Sequence, residues 1–210
     1  MGRARDISKV FSTGTALATD TEVSGSYLTL ASASTTYQTR ATAGLTWIAT
    51  TDFAQGSTGV SLNNVFTSSY RNYKIIVSNI GGNGATQNLR FRLRKNGTDN
   101  SSSIYYIQYL SATSTTVAAN RVSTQSSWNI GDVRDQGPMA SIFDVLCPQI
   151  STQKTNLINT SMTNSTSEPI LYFAVQTHDL TGSSADFDGF SIYPASGNMY
   201  GYVSVYGYKE

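Results

Sequence analysis

Residues 88–97, Asn-Leu-Arg-Phe-Arg-Leu-Arg-Lys-Asn-Gly, leave little choice of backbone. Leu89, Phe91 and Leu93 alternate with Arg90, Arg92 and Arg94, so a β-strand puts the apolar groups on one face and the guanidinium groups on the other. Asn96-Gly97 then supplies the pair that most readily takes positive φ at both centres of a tight hairpin turn. The same grammar continues along the chain. Residues 45–50, 58–67, 70–80, 104–110, 128–130, 140–146, 155–162 and 170–178 read as further strands, rich in β-branched and aromatic residues. Gly81-Gly-Asn-Gly-Ala85 reads as a flexible turn, and Gly137-Pro138 and Glu168-Pro169 punctuate later connections. No long segment holds a 3.6-residue period.

The closing residues 186–210 read as a β-hairpin: a strand at 190–193, a turn at Pro194-Ala-Ser-Gly-Asn198, and a return strand. On the return strand Val203 and Val205 share one face, expected to seal the core. Tyr202, Tyr206 and Tyr208 share the other, an aromatic stripe suited to neighbouring subunits. About ten strands with turn signals between them predict an all-β fold. The expected architecture is an antiparallel, jelly-roll-like β-sandwich over residues 46–210.

Residues 1–26 lack both a period and enough large apolar groups for a core; a disordered terminus and an extended docking arm that orders on a partner are both open, and the docking arm is the functional reading. Residues 27–45 contain a short repeat in which Tyr27, Thr29, Ala31 and Ala33 recur ten positions later as Tyr37, Thr39, Ala41 and Ala43. Two such decamers are too few for a solenoid; a linker and a short stalk of side-by-side identical chains are both open.

Charged residues make up 13% of the chain and the net charge is +1, so nucleic acid is not an expected partner. No apolar run reaches 18 residues, and no membrane insertion is expected. The first residues, Met-Gly-Arg-Ala-Arg-Asp-Ile-Ser, lack the apolar core of a signal peptide, which implies synthesis in the cytoplasm. Asp6 stands where a myristoylation signal wants Ser or Thr. The single cysteine, Cys147, excludes an internal disulfide framework.

Catalytic chemistry finds no foothold, and neither catalytic nor cofactor-binding residues are assigned. His178 and Cys147 are the only residues of their kinds and sit in no nucleophile motif. Asp186 and Asp188, two apart, suit acid–base work or a cation in principle; Asp-x-Asp-Gly more often serves turn hydrogen bonding, and no metal is assigned. Gly81-Gly-Asn-Gly84 lacks the Lys-Ser/Thr of a phosphate loop. The Arg90/Arg92/Arg94 stripe reads as a solvated strand face or as protection of a sheet edge. The polar segments 81–86, 96–103, 111–125 and 180–186 are expected as exposed loop tips.

Beyond these physical readings, residues 60–80, Val-Ser-Leu-Asn-Asn-Val-Phe-Thr-Ser-Ser-Tyr-Arg-Asn-Tyr-Lys-Ile-Ile-Val-Ser-Asn-Ile, resemble a segment of tailed-bacteriophage virion proteins, particularly those of cyanophages. The decamer repeat, the opening Gly2-Arg-Ala-Arg-Asp-Ile-Ser, and the closing Phe-Asp-Gly-Phe-Ser-Ile-Tyr with Gly-Tyr-Val-Ser-Val-Tyr-Gly-Tyr-Lys are similar to other parts of the same proteins. The resemblance implies a virion component rather than an enzyme and carries no binding residue to any position. The reading taken on that footing is a homotrimeric tail or side fibre, docked on other virion proteins through residues 1–26, with a host-surface glycan or protein as the external partner. A head fibre or capsid decoration protein is the alternative, and a glycan-cleaving tailspike ranks third.

Overall fold

The computed structural model describes residues 44–83, 86–134, 139–164, 169–182 and 185–209. The expected arm, 1–26, and the repeat residues 27–43 lie outside them. The described unit is all-β, without a helix. Its strands are β1 (Gly44–Ser57), β2 (Val60–Leu62), β3 (Asn72–Asn83), β4 (Gln87–Lys95), β5 (Thr98–Asp99), β6 (Tyr105–Thr113) and β7 (Thr116–Gln125). They continue as β8 (Trp128–Val133), β9 (Met139–Leu146), β10 (Thr155–Asn164), β11 (Pro169–His178), β12 (Gly189–Pro194) and β13 (Asn198–Lys209). Gly44 and Leu45, read from sequence as the end of the stalk, are the first residues of β1.

All ladders are antiparallel and form two sheets. The larger runs β1-β13-β3-β9-β10-β11-β6-β7; the smaller runs β2-β12-β4-β5, with β8 also paired to β4. The sheets stack as a jelly-roll-like sandwich, because each carries one apolar face that only the other can cover. β4 shows the expected alternation, with Leu89, Phe91 and Leu93 fully buried. Phe91 is the hub of the core: its ring stacks on Phe190 at 4.9 Å and on Trp128 at 5.8 Å, and meets Phe143 of the opposite sheet edge-on at 5.4 Å. Asn96 and Gly97, with φ of 51° and 75°, form the turn between β4 and β5.

Three sequence expectations are corrected. The closing segment is not a hairpin: β12 pairs with β2 and β4 in the smaller sheet, whereas β13 pairs with β1 and β3 in the larger. Residues 195–197 therefore cross between sheets. Pro194, buried at the end of β12, has no N–H to extend a ladder, and Ala195 N–H turns instead to the Asn88 carbonyl at 2.8 Å. Val203 and Val205 do seal the core, fully buried.

Gly81 and Gly82 are not a turn but the continuation of β3 beside β13. Glycine is required there for space. A Cβ on Gly81 would overlap the Tyr200 ring, and one on Gly82 would come within 2.6 Å of a Val133 methyl. Residues 111–125 are not a loop either: β6 and β7 form a hairpin that turns at Ser114 and Thr115. Ser114 takes positive φ without the usual Asn or Gly, and nearly every β7 side chain is exposed or half-buried, so neither a turn pair nor an apolar face marked the strand.

Candidate functional site

On an antiparallel sheet with one covered face, apolar side chains go inward and polar ones outward. At the β9–β10–β11 end of the larger sheet the outer face breaks this rule. On β10, Asn159, Ser161 and Thr163 point inward, and Ile158 and Met162 point out. On β11, Tyr172, Ala174, Gln176 and His178 point inward, and Leu171, Phe173 and Val175 point out. Register makes these outward groups neighbours: Val175 faces Ile158, Leu171 faces Met162, and Phe173 faces Leu110 of β6. Ile142 of β9 stands opposite Thr160 on one side and Ile76 on the other. Val117 of β7, 72% exposed, extends the patch toward the sheet edge.

With strands about 4.8 Å apart and residues about 3.4 Å along them, this outer patch spans roughly 24 Å by 14 Å before side-chain girth is added. That reaches the size of the largest patches on ordinary monomers, roughly 300–600 Å2. Charge is confined to its rim. Lys74 donates to Asp144 at 2.8 Å, and the Tyr208 hydroxyl donates to the same carboxylate oxygen at 2.5 Å. Burial alone lowers the Lys74 pKa, but hydrogen bonding to Asp144 and Tyr208 outweighs it and holds the ammonium above its usual range.

The expected tyrosine stripe lies on the same outer face, across β3 from the patch. Tyr202 is exposed and Tyr206 and Tyr208 are half-buried; Trp47 of β1, opposite Tyr206 and 61% exposed, joins them.

The polar candidates are engaged in structure. Arg94 donates to Asn63 at 2.9 Å and to Ser191 at 2.8 Å and pairs with Asp99. Arg92 donates to the Ser126 carbonyl at 2.9 Å and lies over the Tyr193 ring at 5.0 Å. These arginines tie loops to the smaller sheet rather than forming a free cationic stripe. Asp188 accepts the Asn96 backbone N–H at 2.8 Å, and Asp186 pairs with Lys95. The lysine hydrogen bond holds the Asp186 carboxyl below its usual pKa, outweighing the opposing effect of burial. Both aspartates thus pin the approach to β12 against the β4–β5 turn. Among the described residues, no three His, Cys, Asp or Glu side chains converge as metal ligands.

His178 is fully buried. Its ring meets Tyr105 at 4.5 Å and Phe187 at 5.0 Å, both edge-on, and neither ring nitrogen has a hydrogen-bond partner among the described residues. Burial lowers its pKa to about 4, opposed weakly by Asp179, so it is a neutral part of the core wall. Cys147 is half-buried with φ of 57°, beside Asn72.

Sequence reasoning named none of the outward residues at the β9–β11 end. Their alternation was visible in 170–178, where Leu171, Phe173 and Val175 interleave with Tyr172, Ala174 and Gln176; which set faces the core was not. Compared with known proteins, the chain matches no protein family, no curated protein and no solved structure.

Proposed function

We propose that this chain is a structural protein of a tailed-phage particle: a homotrimeric tail or side fibre, docked through residues 1–26, whose sandwich meets the host surface. The observation that carries the reading is the apolar outer face of β9, β10, β11 and β6. Leaving Ile142, Ile158, Leu171, Phe173, Val175 and Leu110 between 39% and 49% exposed is unfavourable in water, and a second copy of the chain removes that penalty. With its polar rim the face has room for the roughly 800 Å2 per partner that a stable interface buries. Its near-absence of charge favours an apolar surface of a neighbouring copy over a strongly charged partner. The phage particle comes from the sequence resemblance, and the threefold number extends the side-by-side packing of identical chains read from the 27–43 repeat.

The reading assigns the chain a scaffolding and contact role, with no catalytic step. Native mass spectrometry of the full chain is expected to give three times the monomer mass, and a monomer at micromolar concentration sinks the assembly claim. Immunogold labelling of particles is expected at the tail. Label on the head instead transfers the reading to a head fibre or capsid decoration protein, and absence of label from particles removes it.

A further inference from the structure

The face reversal on β10 and β11 has an inner counterpart. Where these strands and β6 lie over β8, the space between the sheets is lined by polar groups instead of an apolar core. It forms a cleft of about 310 Å3 walled by Tyr109, Tyr172, Ser161 and Thr163 on one side and Asn129 and Arg134 on the other. That volume lies at the lower end of small-ligand sites, roughly 300–1,000 Å3. The Tyr109 and Tyr172 rings pack at 4.8 Å, inclined by 32°, and Tyr109 also borders a second hollow of about 120 Å3 toward Trp128 and Arg90.

The lining holds a surplus of hydrogen-bonding capacity. The Tyr172 hydroxyl and Thr163 Oγ1, on side chains 8% and 3% exposed, have no partner among the described residues, and neither has Arg134 Nε. In the adjoining hollow, Trp128 Nε1 and Arg90 Nε are in the same position. Buried polar atoms left without partners are costly, and five of them gather along this cleft and the hollow beside it. The set mixes donors and hydroxyls that both give and accept. Asp132, whose carboxyl burial pushes above its usual range against the pull of Arg134, adds an acceptor whose charge the guanidinium offsets.

We propose that this cleft binds a saccharide unit of a surface glycan, with a pyranose ring against Tyr109 and its hydroxyls bonded to Tyr172, Thr163 and Arg134. A sugar ring has an apolar C–H face for an aromatic wall and hydroxyls that donate and accept around its edge, which is the complement of this lining. The balanced Asp132/Arg134 pair disfavours an anionic ligand such as a phosphate. The proposal deepens the attachment reading and depends on it only for where the glycan comes from.

The test uses the full oligomeric chain. Saturation-transfer NMR with free glucose, galactose, rhamnose, N-acetylglucosamine and their disaccharides is followed by an array of bacterial-surface oligosaccharides. At least one saccharide is expected to bind. Tyr109→Ala is expected to weaken binding about tenfold through loss of the aromatic wall. Tyr172→Phe and Thr163→Val, which keep shape and remove only hydroxyls, are expected to weaken it about three- to tenfold without lowering the melting temperature. Absence of binding across the panel at millimolar saccharide overturns the proposal, as does binding that survives all three substitutions. Light scattering on the same samples separates the two readings: an intact oligomer that takes no sugar sinks the cleft alone, and a monomer that binds sugar sinks the assembly alone.

Discussion

Phe173 on β11 sits directly opposite Leu110 on β6, and both side chains point away from the core, 42% and 49% exposed. One residue further along, Ala174 pairs with Tyr109, and those two face inward. The sheet has placed its larger apolar pair on the outside. Because side chains alternate strictly, a strand that sends Tyr172, Gln176 and His178 inward must send Leu171, Phe173 and Val175 outward.

Phe173→Lys is therefore expected to separate assembly from folding. A side chain without core contacts contributes little to the folded monomer, so stability should change by less than about 1 kcal/mol. A lysine at the centre of a covered patch opposes association strongly. Light scattering should show the variant shifted to monomer with a near-normal melting curve after dilution. An unchanged oligomer counts against this face.

Acid should destabilise the sandwich through His178. Its folded pKa, about 4, lies below the unfolded value near 6.5, so between those values the unfolded chain binds more protons. Stability from keeping the ring neutral is fully present above pH 6.5, is lost as pH falls towards 4, and changes no further below that. The loss is on the order of 3 kcal/mol. Chemical denaturation at a series of pH values should show this slope, and His178→Gln should flatten it between pH 4 and 6.5.

Phe91→Ala should be the most damaging single truncation in the core. The ring stacks on Phe190 and Trp128 and crosses Phe143, so its removal leaves a cavity bounded by both sheets. A loss of about 3–5 kcal/mol is expected in urea unfolding. A loss near 1 kcal/mol would show that the two sheets are not locked through this residue.

Gly207 and Tyr70 should behave as a coupled pair. A Cβ at position 207 would overlap the Tyr70 ring, so Gly207→Ala alone is expected to lose about 1–3 kcal/mol. In a Tyr70→Ala background the same substitution should be nearly neutral, and a double-mutant cycle measures the difference. Additive effects would place the strain elsewhere.

Asp188→Ala removes the acceptor for the Asn96 N–H and should lower stability by about 1 kcal/mol. Because the carboxylate is engaged by the β4–β5 turn, calcium and a chelator should leave the melting temperature of the parent protein unchanged. A calcium-dependent shift that Asp188→Ala abolishes would restore the cation reading of Asp186 and Asp188.

Much of the fold was legible before any coordinates. The alternation of Leu89, Phe91 and Leu93 with three arginines, and the Asn96-Gly97 turn, correspond to β4 and its hairpin residue for residue. Strands were missed where the local code is weak: β7 has no buried apolar face, and its hairpin turns through Ser114 rather than glycine. The Arg90–Arg94 stripe was seen as a face, but Ser126, Asn63 and Ser191, distant in sequence, together with nearby Asp99, turn it into a set of ties.

Alternation, turn residues and the scarcity of charge determined that this chain makes strands, and that the strands stack as an antiparallel sandwich. Those are local or compositional properties, since one period and one pair of turn residues suffice to express them. Tertiary structure alone decided which side of β10 and β11 meets the core, and that β12 and β13 join different sheets. A period of two defines two faces without saying which is inside, and a three-residue connection reads alike whether it reverses a hairpin or crosses between sheets. That choice depends on partners far along the chain. Here it turned Phe173, Leu171 and Ile158 outward and left a polar cleft beneath them.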